Sequence, residues 1–309
     1  MASRFVRKLA LLAKIESVYG TDVVPTGSLN AVLATNVNFT PMAGSEESRD
    51  LLLPYMGHQG IILTGDHVMV EFSVEIAGAG TAGDVPGYGS LLRMCGLSET
   101  IDTGVSVEYE PVSSGFEAGT IYYNLDGVRH ILLGARGNVS LEMSPQRIPR
   151  YRFRILGLKG TISDTALPSV TVTVFKKPLV VNKANTTFSL HSYSGPMEAF
   201  SLDLGNQVEP RLLVGYEGIP IVDRKSTGSA TMEAALLAAK NWFAIATAGT
   251  TGTLAAVHGL TAGNIVEITA PAVQIGRPTQ GSSQGIANYA LPLMFLPDAG
   301  NDDLKITVR

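Results

Sequence analysis

Cysteine is almost missing from this chain: Cys95 is the only one among 309 residues. That excludes an intrachain disulfide and a cysteine-based metal site, and it fits maturation in a reducing cytosol. Charge is sparse as well. Asp, Glu, Lys and Arg make up 16% of the chain and the net charge is −4, so no basic surplus points to gripping nucleic acid by its phosphates. No apolar run approaches the roughly 18 residues that a membrane helix needs, so no membrane partner is expected. The five histidines, His58, His67, His130, His191 and His258, fall in no metal-ligating spacing. Trp242 is the single tryptophan, which leaves little for the aromatic platform of a carbohydrate-binding or adhesive β-protein.

What the chain does have is apolar residues, 45% of it, and 33 glycines. Short alternating segments broken by Gly and Pro read as a mainly β protein. Strand patterns cover residues 31–39, 60–63, 67–76, 105–109, 120–125, 130–133, 138–143 and 150–156. In the second half they cover 170–175, 187–191, 199–204, 218–222, 228–232, 265–269, 272–275, 289–295 and 305–308. Asp126-Gly127 marks a hairpin turn. Helices are few: a short one over 88–95, ending at Gly96, and an Ala-rich one over 233–246. The opening MASRFVRKLALLAKIE has an apolar core of only five residues, Leu9 to Ala13, too short for a signal peptide. It reads as an amphipathic docking arm carrying Arg4, Arg7 and Lys8.

Two internal matches stand out. GIILTGDHVMVEFSVE (60–75) lies over GIPIVDRKSTGSATME (218–233) without a gap, and IPRYRFRILG (148–157) lies over IANYALPLMF (286–295). Each first segment precedes a predicted helix. The order strand, strand, helix, strands therefore occurs twice, which predicts two tandem units. The Gly-rich stretch 157–168 marks the boundary, giving a first β domain over 1–160 with its N-terminal arm and a second over 161–309.

Two stretches imitate catalytic motifs. VEIAGAGTAG (74–83) has the glycine spacing of a dinucleotide fingerprint at Gly78, Gly80 and Gly83, the basis for an alternative nucleotide-dependent enzyme. Its context is wrong: Pro86, Gly87 and Gly89 leave about two turns of helix where a crossover helix is needed. GSSQG (281–285) has the spacing of a nucleophile elbow at Ser283, but a strand pattern with Pro292 follows instead of a helix. Cys95 sits on the apolar side of a short helix with Leu91 and Leu92, the usual place of a structural thiol. Glu46, Glu47, Asp50 and Asp66, with Arg49, crowd a long connection and read as a solvated, partner-facing loop. No catalytic, cofactor or metal residue is assigned, and the chain is not expected to be an enzyme.

The order of several segments resembles a known family. They are LLAKIESVYGTDVVPTGSLNAVL (11–33), with Ile15-Glu16, Tyr19-Gly20-Thr21 and Pro25-Thr26, then SRDLLLPYMG, GYGSLLRMCGLSETI, YYNLDGVRHILLGARGNVSLEM and PRYRFRILGL. Across residues 11–160 the chain resembles the major tail tube proteins of long, non-contractile-tailed bacteriophages. The resemblance fades beyond residue 160. It implies a β-sandwich or barrel unit with one flanking helix, and six such units in a ring. Stacked rings would form a channel through which DNA passes without specific binding. With two units per chain, three chains would complete a pseudo-sixfold ring. The implied partners are other copies of the chain and the tape measure, terminator and distal tail proteins. The implied place is the virion tail, assembled in the host bacterial cytoplasm. Within that frame the connection 41–60 is expected to reach the neighbouring ring, as is the basic arm. The glycine-rich loops 78–83 and 249–252 are expected to order on docking.

Overall fold

A computed structural model describes residues 3–309. The first half opens with β1 (Leu9–Ile15), β2 (Ala31–Val32), β3 (Ala34–Ser48) and β4 (Ile61–Glu75). A one-and-a-half-turn helix, α1 (Gly89–Met94), follows. Then come β5 (Thr100–Asp102), β6 (Ser106–Tyr109), β7 (Gly119–Leu125), β8 (Val128–Met143), β9 (Arg150–Lys159) and β10 (Ser163–Asp164). The second half opens with β11 (Thr186–Leu190) and β12 (Met197–Asp203). The short strands β13 (Asn206–Val208), β14 (Arg211–Leu213), β15 (Tyr216–Gly218) and β16 (Ile221–Arg224) form two small hairpins. β17 (Thr227–Glu233), α2 (Trp242–Ala248), β18 (Thr251–His258), β19 (Val266–Ile275), β20 (Thr279–Ser283), β21 (Ile286–Leu296) and β22 (Lys305–Val308) complete the chain. The protein is mainly β, and among the described residues all strand pairs are antiparallel.

Strand pairing runs in the same order in both halves. In the first it is β1-β7-β8-β9-β4-β3. In the second it is β11-β18-β19-β21-β17-β12, with β20 extending the β19 edge along β21. A helix follows β4 and β17 alike. The register repeats too. Met69 faces Leu156 and Val74 faces Tyr151; shifted by the two gapless sequence matches, these become Thr227 facing Met294 and Met232 facing Tyr289.

The halves are fused. β12 pairs with the end of β8, placing Phe200 opposite Met143 and Leu202 opposite Leu141. β22 pairs with β6. One continuous apolar core draws on both halves, from Val70, Phe72, Tyr151 and Phe153 to Phe200, Met232, Trp242 and Leu293. Fully burying each such side chain contributes about 1.5–3 kcal/mol.

Several sequence expectations are corrected. The Ala-rich segment 233–246 is helical only from Trp242, because Glu233 ends β17 and Leu236 and Leu237 stay exposed with no surface to cover. Apolar side chains without a docking face do not sustain a helix against the pull of neighbouring elements. Asn241 caps the shortened helix by accepting from Ala244 N–H, and Gly249, at φ 63°, ends it in the left-handed conformation. Residues 170–175, expected as a strand, are irregular. Thr251 and Gly252, expected in a loop, begin β18. The predicted docking arm contains β1, a strand paired along both edges, with β7 and β2. Its Leu11 and Leu12 point into two different core clusters, so the apolar run is that of a strand buried on both faces.

Candidate functional site

The glycine-rich loop of the apparent fingerprint is a joint within the chain. Gly80 N–H donates to the Gly263 carbonyl at 2.7 Å, and Gly78 N–H donates to Asn264 Oδ1 at 2.9 Å. A Cβ on Gly78 would collide with the Gly263 carbonyl, and Gly80 sits at φ 97°. The glycines serve close backbone approach between the two halves. Ser283 lies at the tip of the β20–β21 hairpin, where Ser283 pairs with Ile286. Cys95 closes α1, fully buried; burial pushes its thiol pKa up, away from the thiolate that reacts. His191 Nε2–H donates to the Val273 carbonyl at 2.8 Å. His258 Nδ1 lies 2.8 Å from the Thr186 hydroxyl, and its Nε2–H donates to the Leu179 carbonyl. Burial lowers both imidazole pKa values, so both rings are neutral packing groups. Trp242 is buried, so it offers no glycan platform. Among the described residues no group of three His, Cys, Asp or Glu side chains could hold a metal ion.

What the fold does present is surface for assembly. The first surface is a polar sheet face. A continuous path of eight strands runs β3-β4-β9-β8-β12-β17-β21-β20, and the strands from β4 to β21 bury one side on the core. Strand alternation sends Glu71, Glu75, Glu142, Asp203 and Glu233 to the other side, with Arg150, Arg152 and Arg154. Carboxylates outnumber guanidiniums there, and the two are interleaved. Glu71 lies 3.5 Å from both Arg152 and Arg154, and Glu75 lies 3.5 Å from Arg150. Ser140, Ser201, Thr227, Ser229 and Thr231 add small hydroxyls, and Ser201 bonds Ser229 at 3.0 Å.

The second surface is the pair of free edges at the two ends of that path. Among the described residues β3 pairs only with β4, and β20 only with β21. Unpaired edges invite another strand.

The third is an arm formed by residues 41–66, the outer parts of β3 and β4 with the turn between them. Leu52 and Met56 are fully exposed, and Leu51, Leu53, Tyr55, Ile61, Ile62 and Leu63 are exposed beside them. So concentrated an apolar patch marks an interaction surface. Glu46, Glu47 and Asp50 line the same arm in solvent, and Asp66 pairs with Lys159 at its base. The basic N-terminal residues do not extend outward in the same way. Arg4 donates to the Leu125 carbonyl at 2.7 Å, and Lys8 pairs with Asp126 at 3.6 Å, both on the β7–β8 turn of the same chain.

Sequence reasoning placed a long connection over 41–60, of which 41–48 belong to β3 and only 49–60 form a loop, and it missed the free edge of β20. Its TQGSS has neither apolar alternation nor β-branched density, so only the register of the preceding hairpin could have disclosed it.

An all-antiparallel β chain with a polar sheet face, two free edges and an apolar arm is a structural assembly module. The family model for phage tail tube protein matches residues 7–290. The chain belongs to the phage tail tube protein family and is a structural tube subunit of the virion tail. No curated protein matches it. Among the described residues no helix is long and apolar enough to cross a membrane.

Proposed function

We propose that this chain is a double tube subunit: residues 1–160 and 161–309 are tandem copies of one tube unit, and three chains close a ring of pseudo-sixfold symmetry. The observation that carries the reading is the eight-stranded path. It consists of two four-stranded groups in matched register, joined edge to edge inside one chain and open at both ends. Three such paths joined end to end give a closed barrel with no free edge, which is how β assemblies remove the liability of an edge. Cyclic closure through one repeated contact follows the usual rule for rings.

The polar face then lines the channel. Its excess of carboxylates repels the phosphates of DNA, and its small hydroxyls offer no strong grip, so DNA passes without being held. The arm 41–66 reaches the adjacent ring, and the tube ends meet the tape measure, terminator and distal tail proteins. Assembly in the host cytoplasm agrees with a chain that has one buried thiol and no disulfide.

Negative-stain electron microscopy of the purified protein across a concentration series tests this. The expected images are rings and stacked tubes with a central hole, averaging with threefold symmetry. A strict monomer at every concentration would overturn the reading, and sixfold rings of six chains would overturn the two-unit part of it.

A further inference from the structure

Within the chain, the two halves of the sheet meet at one joint, and that joint predicts the next. We infer that β20 of one copy pairs antiparallel with β3 of the neighbouring copy, with Thr279 opposite Thr40 and Gly281 opposite Asn38. The inference rests on the tube reading and specifies the contact that closes the ring.

The register follows from five pairings. Thr40 faces Met69 in the first half, and Asp203 faces Thr227 in the second. Met69 and Thr227 correspond in the gapless match of 60–75 with 218–233, so Thr40 corresponds to Asp203. At the other edge, Glu142 faces Arg150, and Gly281 faces Asn288. Arg150 and Asn288 correspond in the match of 148–157 with 286–295. Glu142 therefore corresponds to Gly281, and Ser140 to Thr279. Asp203 pairs with Ser140 inside the chain. The corresponding pair between copies is Thr40 with Thr279.

Both strands are ready for this contact. Each has one edge occupied and one free, and residues 279–282 are exposed throughout. The two joints differ in chemistry. Inside the chain, Phe200 and Leu202 meet Met143 and Leu141. Between copies, Val37 and Phe39 meet Ser282 and Gln280. One side of the second joint is polar, so backbone hydrogen bonds carry most of it. A polar free strand also restrains indiscriminate pairing by the monomer. The ring joint is accordingly weaker than the joint inside the chain, and rings form reversibly.

Disulfide trapping tests the register. Thr40→Cys with Thr279→Cys places two thiols directly opposite each other, within the separation a disulfide spans. Thr40→Cys with Ser283→Cys shifts the second thiol four residues, well beyond reach, and Cys95 is buried and silent. In assembled tubes under mild oxidation, the first variant is expected to give a covalent ladder and the second only monomer. Tubes that cross-link in the shifted variant, or not at all in the matched one, would overturn the joint while leaving the tube reading intact. Backbone exchange of wild-type protein gives an independent reading. Amides of 37–40 and 279–283 should gain protection on assembly, and unchanged exchange in wild-type tubes would overturn the joint. Failure of wild-type protein to form rings would overturn the tube reading itself.

Discussion

The two halves carry hairpin arms at matched places, between β3 and β4 and between β12 and β17, and the arms have opposite fates. Residues 204–226 of the second half fold back onto the first. Ile219, Val208 and Ile221 are buried there against Leu156, Leu158, Met69 and Phe116. Asn206 Nδ2 donates to the Cys95 and Gly137 carbonyls, and Ile219 N–H donates to the Tyr19 hydroxyl at 2.7 Å. Arg136, stacked on Tyr19 at 4.9 Å, donates to the Phe116, Glu117 and Ile219 carbonyls. Residues 41–66 of the first half have an apolar tip that nothing covers, and the tip of the second arm, at Leu213, Val214 and Tyr216, is exposed as well. The comparison teaches that the second arm is anchored at its base within the chain, whereas the first carries its whole apolar stretch in solvent.

Substitution of one apolar residue in each arm gives the largest contrast. Ile219→Ala is expected to destabilise the isolated chain by about 2–5 kcal/mol, the range for emptying a fully buried aliphatic site. Leu52→Ala is expected to change it by less than about 0.5 kcal/mol, as for other surface sites. Urea denaturation measures both. In sedimentation the order reverses, with Leu52→Asp shortening tubes while its monomer stays intact. A large stability loss at Leu52 would mean that the first arm also packs on its own chain.

How much of this was legible in the sequence depends on where side chains meet the core. The two gapless matches end on β4 with β17 and fall on β9 with β21, where alternate residues of 68–75, 228–232, 151–155 and 291–295 face the core, so pattern and register were visible together there. Asp126-Gly127 was readable because its backbone, at φ 36° and 98°, demands those residues. The end of β8 and the whole of β20 match only through the hairpins they belong to. β20 buries almost nothing, so no apolar pattern records its role. The segment 233–246 misled for the opposite reason: local propensity favoured a helix, and the position of Trp242 in the core decided where the helix begins. The assembly surfaces were the least visible, since a free edge is a property of pairing and not of residue type.

The two helices give the next contrast. α1 has no side-chain cap, and Leu91, Leu92 and Met94 hold it in the core. Arg93 ties it down by a forked pair to Glu117 at 2.6 and 2.7 Å, and that hydrogen bonding raises the guanidinium pKa further. α2 buries Trp242 alone and relies on Asn241 at its start. Asn241→Ala is therefore expected to cost about 1 kcal/mol, the usual value of a lost cap. Hydrogen exchange should show faster amides in 242–248 and no change in 89–94. Uniform acceleration through both helices would mean that they unfold as one unit.

The last contrast is silent at neutral pH. The second half holds two buried imidazoles of lowered pKa, His191 and His258; the first half holds a half-buried one, His130, lowered by burial and by Arg4. For each, the unfolded chain binds a proton more readily than the folded one. Their contribution is therefore complete above the unfolded value of about 6.5 and is lost as pH falls from there through the folded value. His258 is the most enclosed, with Thr186 at one ring nitrogen and the Leu179 carbonyl at the other. Lys240 adds its charge beside His191, where its ammonium donates to the His191 carbonyl. His258→Gln removes one titrating group while keeping a side chain that can meet both partners. Between pH 7 and 5 the wild-type melting temperature should fall more steeply than that of His258→Gln, with the excess confined to probes in β11 and β18. Parallel pH profiles for the two proteins would show that this ring is already accommodated in its charged form, and that acid acts on the two halves alike.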